Sequence, residues 1–506
     1  MAELDYRLTA PWQPGQAHIE CAATRWARNP DDQDHKLVRF HLVTLGCDKN
    51  TVDSERYVAE LAAHGAQPAT SADEADLIVI NTCGFIDAAK EESLEAIIEA
   101  TRFKSSGACR MVAAVGCMVE RHADELRESL PEVDLFLGTR ETDRLISEVS
   151  ARGLLDDAPA LVHPGVRLYT GDLPHVRYLK ISEGCDHGCA FCAIPLMRGR
   201  HRSFALDDVV RETQLLELQG AREVNLVAQD LAHYGRDVRD GRGLPDLLTA
   251  LVEETGIPWF RLLYIYSAGL TPRMLDLMAR EPRIVRYLDI PMQHASDAVL
   301  ERMRRPERKA RQREKLRQIR EAVPGVSIRS TVIVGFPGET DDDFQQLLDF
   351  LEEVQLDRVG VFTYSAQEGT RAFDLPDDVP DELKRERLER VTEVQRLVTA
   401  ERYEGMIGLT VPAIVDRVMP DGSVQARTNG QADDIDGITW VRGTGDGVPA
   451  TPLHSGDLVE IQLDAVANDY DFEATLVRHV SATPTHPKAA RARALPVMST
   501  VGAFGR

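Results

Sequence analysis

Arg177-Tyr-Leu-Lys-Ile-Ser-Glu-Gly-Cys185-Asp-His-Gly-Cys189-Ala-Phe-Cys192 reads as a strand that stops at a glycine and opens into a loop with three cysteines. Three thiolates within eight residues can grip one face of a cluster, since soft sulfur donors select iron–sulfur units or zinc. Structural zinc takes four protein ligands and usually pairs two Cys-x-x-Cys knuckles. No fourth cysteine is near, and only His187 or His201 could supply that donor. Three ligands on a four-iron cubane leave one iron open, which is what a reaction needs.

Downstream of this loop the apolar runs recur. Arg177–Ser182, Glu223–Asp230, Trp259–Tyr266, Arg286–Gln293, Val326–Phe336 and Arg358–Ser365 are strand candidates, with helical stretches such as Leu206–Leu218 and Asp297–Ala322 between them. Six βα units in this span predict an α/β fold with a partial, TIM-like barrel of parallel strands. A charged helix, Asp381–Glu404, leads out of it. From Gly408 to Val480 five short runs broken by DG, NG and GTGDG turns predict a small all-β barrel or sandwich.

Upstream, Arg39–Cys47, Ala75–Gly84 and Arg110–Cys117 are apolar strands, with helices predicted over Val52–His64, Ala88–Phe103 and Ala123–Ser129. This alternation means a doubly wound parallel sheet. A lone cysteine after an apolar strand is usually a small buried hydrophobe. Cys47, Cys83 and Cys117, however, all close strands, and in such a sheet the C-terminal strand ends share the edge where ligands bind. They are candidates for a second cluster with its own open iron. Cys21 and Cys109 lack that placement and read as free and structural.

At 506 residues the chain is too long for one core. The expected division is a poorly ordered lead-in over 1–37, the cysteine-edged sheet over 38–150, a linker over 151–173, the barrel over 174–403, the all-β module over 404–480 and a disordered tail over 481–506. No run of 18 apolar residues predicts a membrane span. The N-terminus has no basic-then-apolar leader pattern, so the expected location is the cytoplasm. A formal charge of −23 disfavours nucleic acid as the main partner.

The Cys185–Cys189–Cys192 spacing, with Phe191 before the last cysteine at the end of the first barrel strand, resembles the radical S-adenosylmethionine superfamily. The resemblance implies a [4Fe-4S] cluster whose open iron chelates the methionine amine and carboxylate. One electron then yields a 5′-deoxyadenosyl radical, which abstracts hydrogen from an unactivated carbon inside a shielded barrel. With the upstream cysteine domain the resemblance narrows. LGCDKNTVDSE, NTCGFID, VGC, YLKISEGCDHGCAFCAIPLMRGRHRS, LVAQD, PMQHASD and STVIVGFPGET are similar to the methylthiotransferases, and the last module resembles their TRAM domain, over about residues 38–480. This implies two [4Fe-4S] clusters. The auxiliary one, on Cys47, Cys83 and Cys117, carries sulfur or the methylthio group. One S-adenosylmethionine gives the methyl and another the radical. An electron donor of flavodoxin or ferredoxin type and a sulfur donor are implied partners.

Beyond the cluster ligands no side chain is assigned to catalysis. Motif matching offers further cofactor contacts, each with a plain structural alternative. Phe191 could pack near adenine or be a core aromatic. Gln229 and Asp230 end a barrel strand, where they could bind the methionine or ribose or merely cap a loop. Gln293 and Ser296 are similar. Arg329 could pair with the methionine carboxylate or form a structural salt bridge. Gly335 begins a tight turn that could approach adenine or simply lead into a helix. The basic stretch Met303–Arg320 reads as a solvated helix face.

The family has two main substrate classes, adenosine in transfer RNA and an aspartate of a ribosomal protein. Gly408–Val480 carries twelve Asp or Glu against four Arg and no Lys, a net of −8, and Ala426–Gly437 is acidic where an RNA-binding module wants cations. Such a module favours a Lys/Arg-rich protein. The resemblance is therefore to the ribosomal branch, the RimO type. Its target is the β-carbon of an aspartate in the basic small-subunit ribosomal protein S-twelve; transfer-RNA methylthiolation is the alternative.

Overall fold

The computed structural model describes residues 37–155, 166–445 and 452–481. Cys21, the lead-in before residue 37, the middle of the predicted linker and the tail after 481 lie outside them. The first sheet contains β1 (Arg39–Thr44), β2 (Gln67–Pro68), β3 (Leu77–Thr82), β4 (Met111–Gly116) and β5 (Leu135–Leu137), all parallel in the order β2-β1-β3-β4-β5. Every residue of β3 and β4 is buried, as near-continuous apolar runs covered on both faces should be. Tyr57, Leu61, Leu145 and Val149 from two helices cover one face. Ile97, Ala100, Val119 and Leu126 from two others cover the opposite one. The sheet is doubly wound.

Two helices begin earlier than their periodicity predicts, at Asp48 rather than Val52 and at Cys117 rather than Ala123. The polar Asp48-Lys-Asn opens the first without an apolar face, and a kink at His122 interrupts the second. Gly46 and Gly116 have φ of +92° and +100°, so each strand turns into its helix at the cysteine itself.

Next come β6 (Val176–Lys180), the short β7 (Ser182–Glu183) and β8 (Arg202–Ser203), then β9 (Glu223–Val227), β10 (Trp259–Leu262), β11 (Ile284–Asp289), β12 (Ser327–Val334) and β13 (Arg358–Thr363). The order β6-β9-β10-β11-β12-β13 is parallel throughout, an arc of six strands. Its outer face carries the largest core, including Leu226, Phe260, Leu288 and Ile328. β7 and β8 pair antiparallel and close the neck of the cysteine loop.

The last five strands, β14 (Thr410–Val418), β15 (Val424–Thr428), β16 (Thr439–Thr444), β17 (Leu458–Ala467) and β18 (Asp471–Ser481), form a closed barrel in the order β14-β15-β16-β18-β17, with β16 and β18 parallel. That topology is OB-like. Its Ile414 and Ala432 pack on Trp259, Val285 and Tyr287 of the six-stranded arc. Around this contact Arg427 bridges Asp416 and Glu223 at 2.7 Å each, and the Tyr287 hydroxyl donates to Asp436 at 2.5 Å. Asp433 and Asp436 of the acidic segment are buried. They are part of a domain contact, whereas the sequence suggested a solvent-facing acidic patch.

At the end of the predicted linker, Arg167 is 1% exposed and pairs with Glu55 at 2.8 Å and Glu212 at 2.9 Å. It ties the first sheet to the arc. Among the described residues no helix is long and apolar enough to cross a membrane.

Candidate iron–sulfur and S-adenosylmethionine site

Cys47 caps the helix Asp48–Ala63 after β1, Cys83 follows β3, and Cys117 is the first residue of the helix Cys117–Ser129 after β4. The strand order reverses between β1 and β3, which is where open parallel sheets bind ligands. A methyl group added to Gly46 would stand 2.9 Å from the Cys83 sulfur, so the backbone beside Cys47 touches Cys83. Burial, and then the neighbouring thiols, push Cys83 up to about 12; Cys117 rises to about 11, chiefly through burial. All three are free. Two of them stand at helix N-termini, whose partial positive charge suits an anionic thiolate once a metal displaces the proton. The donor set fits an iron–sulfur cluster.

The second triad sits in the loop between β7 and β8. Gly184 has φ of +79°, and a Cβ there would lie 2.1 Å from the Arg200 carbonyl oxygen, so only glycine allows this neck. The Cys185 N–H donates to the Gly199 carbonyl at 3.1 Å. Burial first, then adjacent thiols, raise Cys185 to about 11 and Cys192 to about 12. A Cβ at Gly188, between Cys185 and Cys189, would meet nothing within 4 Å, so the loop has an open side. Three free thiols around open space fit a cubane with one vacant corner.

Arg305 corrects the reading of Met303–Arg320 as a solvated face. It is 7% exposed, stacks 4.2 Å over the Tyr266 ring and directs Nη1 at the Cys189 sulfur, 3.6 Å away. Gln312, Leu316 and Ile319 of the same stretch are buried too; only the outer residues, such as Arg313 and Arg317, face solvent.

Asp230 is a hub beside the loop. Its carboxylate accepts from His187 at 2.7 Å, His233 at 2.9 Å and the N–H groups of Ala232 and Tyr266. Burial opposes its ionisation, but the two histidines and the Tyr266 N–H hold it well below the ordinary carboxylate range. His187, three of whose neighbours are thus fixed, lies between the Tyr266 ring and this network. Of the two readings of Asp230, the structure supports loop capping.

The other cofactor candidates divide. Gln229 gives its amide N–H to Glu183 at 3.1 Å, and its buried Oε1 has no partner among the described residues. Phe191 is half-buried against the cluster of Ala190, Met303 and Phe336. Gln293 has φ of +73° and its backbone pairs with Thr331 and Ile333 of β12. These three stand at C-terminal strand ends or on the cysteine loop. Ser296 is fully occupied: it caps the helix Asp297–Arg302 and bonds Asp343. Gly335 gives its N–H to the buried Glu339, and Lys384 packs where its Cβ would be. Arg329 lies deeper, on β12, and pairs with Asp289 at 3.1 Å. Arg305, Arg198 and His233 are site residues that the sequence did not flag.

An arc of parallel strands with a three-cysteine loop at the end of its first strand defines a radical S-adenosylmethionine enzyme. Family comparison agrees: residues 179–351 match the Radical SAM superfamily, and residues 39–138 match Uncharacterized protein family UPF0004. Radical SAM chemistry brings an iron–sulfur cluster and S-adenosylmethionine to this domain.

The chain is 42% identical over 464 residues to the ribosomal protein uS12 methylthiotransferase RimO of Anaeromyxobacter sp. (strain K), covering 90% of this chain and 97% of that protein. It is 44% identical over 446 residues to the same-named protein of Desulforudis audaxviator, covering 87% and 97%, and 40% identical to that of Myxococcus xanthus, covering 88% and 95%. The chain belongs to the RimO family of radical SAM methylthiotransferases.

Proposed function

We propose that this chain methylthiolates the β-carbon of an aspartate in ribosomal protein uS12. The observation that carries the reading is the pair of free cysteine triads. Cys47, Cys83 and Cys117 stand on the ligand-binding edge of the first sheet, and Cys185, Cys189 and Cys192 on the loop above the barrel arc. Each would hold one [4Fe-4S] cluster. When bound, the clusters and S-adenosylmethionine supply the electron, the radical, the methyl group and the sulfur.

The chain's own residues bind and orient. Gln229 offers its unpartnered buried carbonyl to the cofactor. Phe191 and the backbone of Gln293 line the strand ends, while Asp230 and His187 fix the cysteine loop. Arg329 and Gly335 support the same floor; Ser296 acts through its helix. The OB-like barrel serves as the TRAM domain that meets a basic protein substrate, in the cytoplasm, with a flavodoxin- or ferredoxin-type reductant and a separate sulfur donor.

The test is anaerobic. Reconstituted enzyme is incubated with reductant, S-adenosylmethionine and either the ribosomal protein or transfer RNA. A mass gain of one methylthio group on the protein alone supports the reading; the same gain on transfer RNA alone overturns its substrate. Cys189→Ala abolishes 5′-deoxyadenosine formation. Cys83→Ala spares some of it and stops thiolation, so normal methylthio product from that variant refutes the second cluster.

A further inference from the structure

The helix Ile194–Arg198 begins two residues after Cys192 and is packed, through Ala193 and Met197, against Cys117. One cysteine of each triad therefore flanks a single short element. Arg198 closes it. This guanidinium is 7% exposed, and its Nε donates to the Cys117 sulfur at 3.2 Å. Its Nη2 donates to the Asn50 side-chain amide oxygen, and Nη1 reaches Asp53 at 2.8 Å and Glu183 at 3.2 Å. Asn50 and Asp53 belong to the helix capped by Cys47; Glu183 stands two residues before Cys185.

A structural salt bridge alone does not explain this fork. Lys180 already contacts both carboxylates, Asp53 at 2.5 Å and Glu183 at 2.7 Å. The two acids thus have a cation without Arg198, and its Nε points at sulfur. A ligating cysteine sulfur keeps lone pairs that accept N–H donors, and hydrogen bonds to such sulfurs together with nearby charge tune a cluster's potential. In a site this buried, a full positive charge has a large effect.

We infer that Arg198 is a positioning residue that couples the two cysteine triads: it raises the reduction potential of a cluster on Cys47, Cys83 and Cys117 and fixes that cluster against the Cys185 loop. The inference rests on the two-cluster reading above. Loss of a nearby cation disfavours the reduced, more negative cluster, so Arg198→Gln should lower the auxiliary potential and leave the radical SAM cluster unmoved. Arg198→Lys keeps the charge without the planar fork and should shift it less. Misplacing the acceptor should also uncouple turnover. In Arg198→Gln, 5′-deoxyadenosine formed per methylthio product should rise about ten-fold, the weight of one charge-assisted hydrogen bond on a barrier.

The experiment is a redox titration of the doubly loaded enzyme followed by electron paramagnetic resonance, with iron and sulfide determined on each variant. An auxiliary cluster at full iron content that titrates at the wild-type potential in Arg198→Gln overturns the inference. So does an equal shift of both clusters. Should Arg198→Gln fail to fold or to hold iron, Asp53→Asn carries the test, because it removes the countercharge while Arg198 stays. The auxiliary potential must then rise, and an unchanged or lower value overturns the inference. Wild-type protein with one cluster refutes the two-cluster reading and this inference together; two clusters without the shift refute only this one.

Discussion

Glu223→Gln is the perturbation whose cost the structure sets most directly. Glu223 is wholly buried at the foot of β9, with Oε1 at 2.7 Å from Arg261 Nε and Oε2 at 2.7 Å from Arg427 Nη2. Burial opposes its ionisation, but Arg427 and Arg261 hold the carboxyl below its ordinary range, so the group is charged. Arg427 is also gripped by Asp416 at 2.7 and 3.0 Å, and Arg261 donates to the Asn429 carbonyl at 2.9 Å. Two acids and two arginines balance. The amide keeps the shape and one acceptor but leaves one buried positive charge uncompensated. Removing one partner of a buried pair costs about 3–5 kcal/mol, a large share of the roughly 5–15 kcal/mol that holds a domain together. Because the network joins the OB-like barrel to the six-stranded arc, the loss should appear as undocking. Trp259 lies in that contact, so its fluorescence reports it. With a urea slope of about 3 kcal/mol per molar, the midpoint should fall by about 1 M or more. In the double variant Glu223→Gln with Arg427→Met, the combined loss should be smaller than the sum of the single losses by about 1 kcal/mol or more. A loss below about 1 kcal/mol for Glu223→Gln, or strict additivity with Arg427→Met, refutes the reasoning.

Two further outcomes follow from single positions. Gly116→Ala puts a methyl 2.5 Å from the Asn81 side-chain oxygen at a φ of +100°, a strain of about 1–3 kcal/mol at the turn that presents Cys117. Iron per chain should fall towards one cluster while 5′-deoxyadenosine formation persists. Burial raises Asp433 to about 7, well above its ordinary value near 3.8. A folded value above the unfolded one means that the folded state binds the extra proton, so stability falls as pH rises between those values. Asp433→Asn should therefore raise the melting temperature at pH 8, with the gain vanishing towards pH 4.

The strands of the first sheet, and the place of their cysteines at its edge, were legible because these apolar runs stop at a cysteine, as in LVTLGC47 and AAVGC117. That local signal survives any tertiary context. What the sequence hid depends on partners far along the chain. Arg198 meets Cys117 across 81 residues, and Arg305 meets Cys189 across 116. Nothing in the local charge of MRRPERK separates Arg305 from its solvated neighbours. His233 was invisible for the same reason: its value comes from Asp230 and from His187 on another loop. Ser296 stood between two readings, ligand contact and loop capping. Its place after a barrel strand allowed both, and in the structure it caps the next helix.

Formal charge misled in a subtler way. The net of −8 over Gly408–Val480 treats every acid as a surface group. Asp416, Asp433, Asp436 and Asp457 are buried, and Asp446 lies outside the described residues. Seven acids remain at least partly exposed, against Arg417, Arg442 and Arg478, with Arg427 buried, so the described surface carries −4. Glu460 and Glu473 are themselves paired with Arg478 and Arg442. Asp469 pairs with Arg396 at 3.3 Å, which leaves Asp421, Asp434, Asp464 and Asp471 without an arginine or lysine in a salt bridge among the described residues. The sign of that surface is still negative, and electrostatic steering responds to the surface field and not to ions locked in a domain contact. What changes is which acids set that field: the exposed Asp421, Asp434 and Asp464 and the half-buried Asp471, not the buried Asp416, Asp433, Asp436 and Asp457.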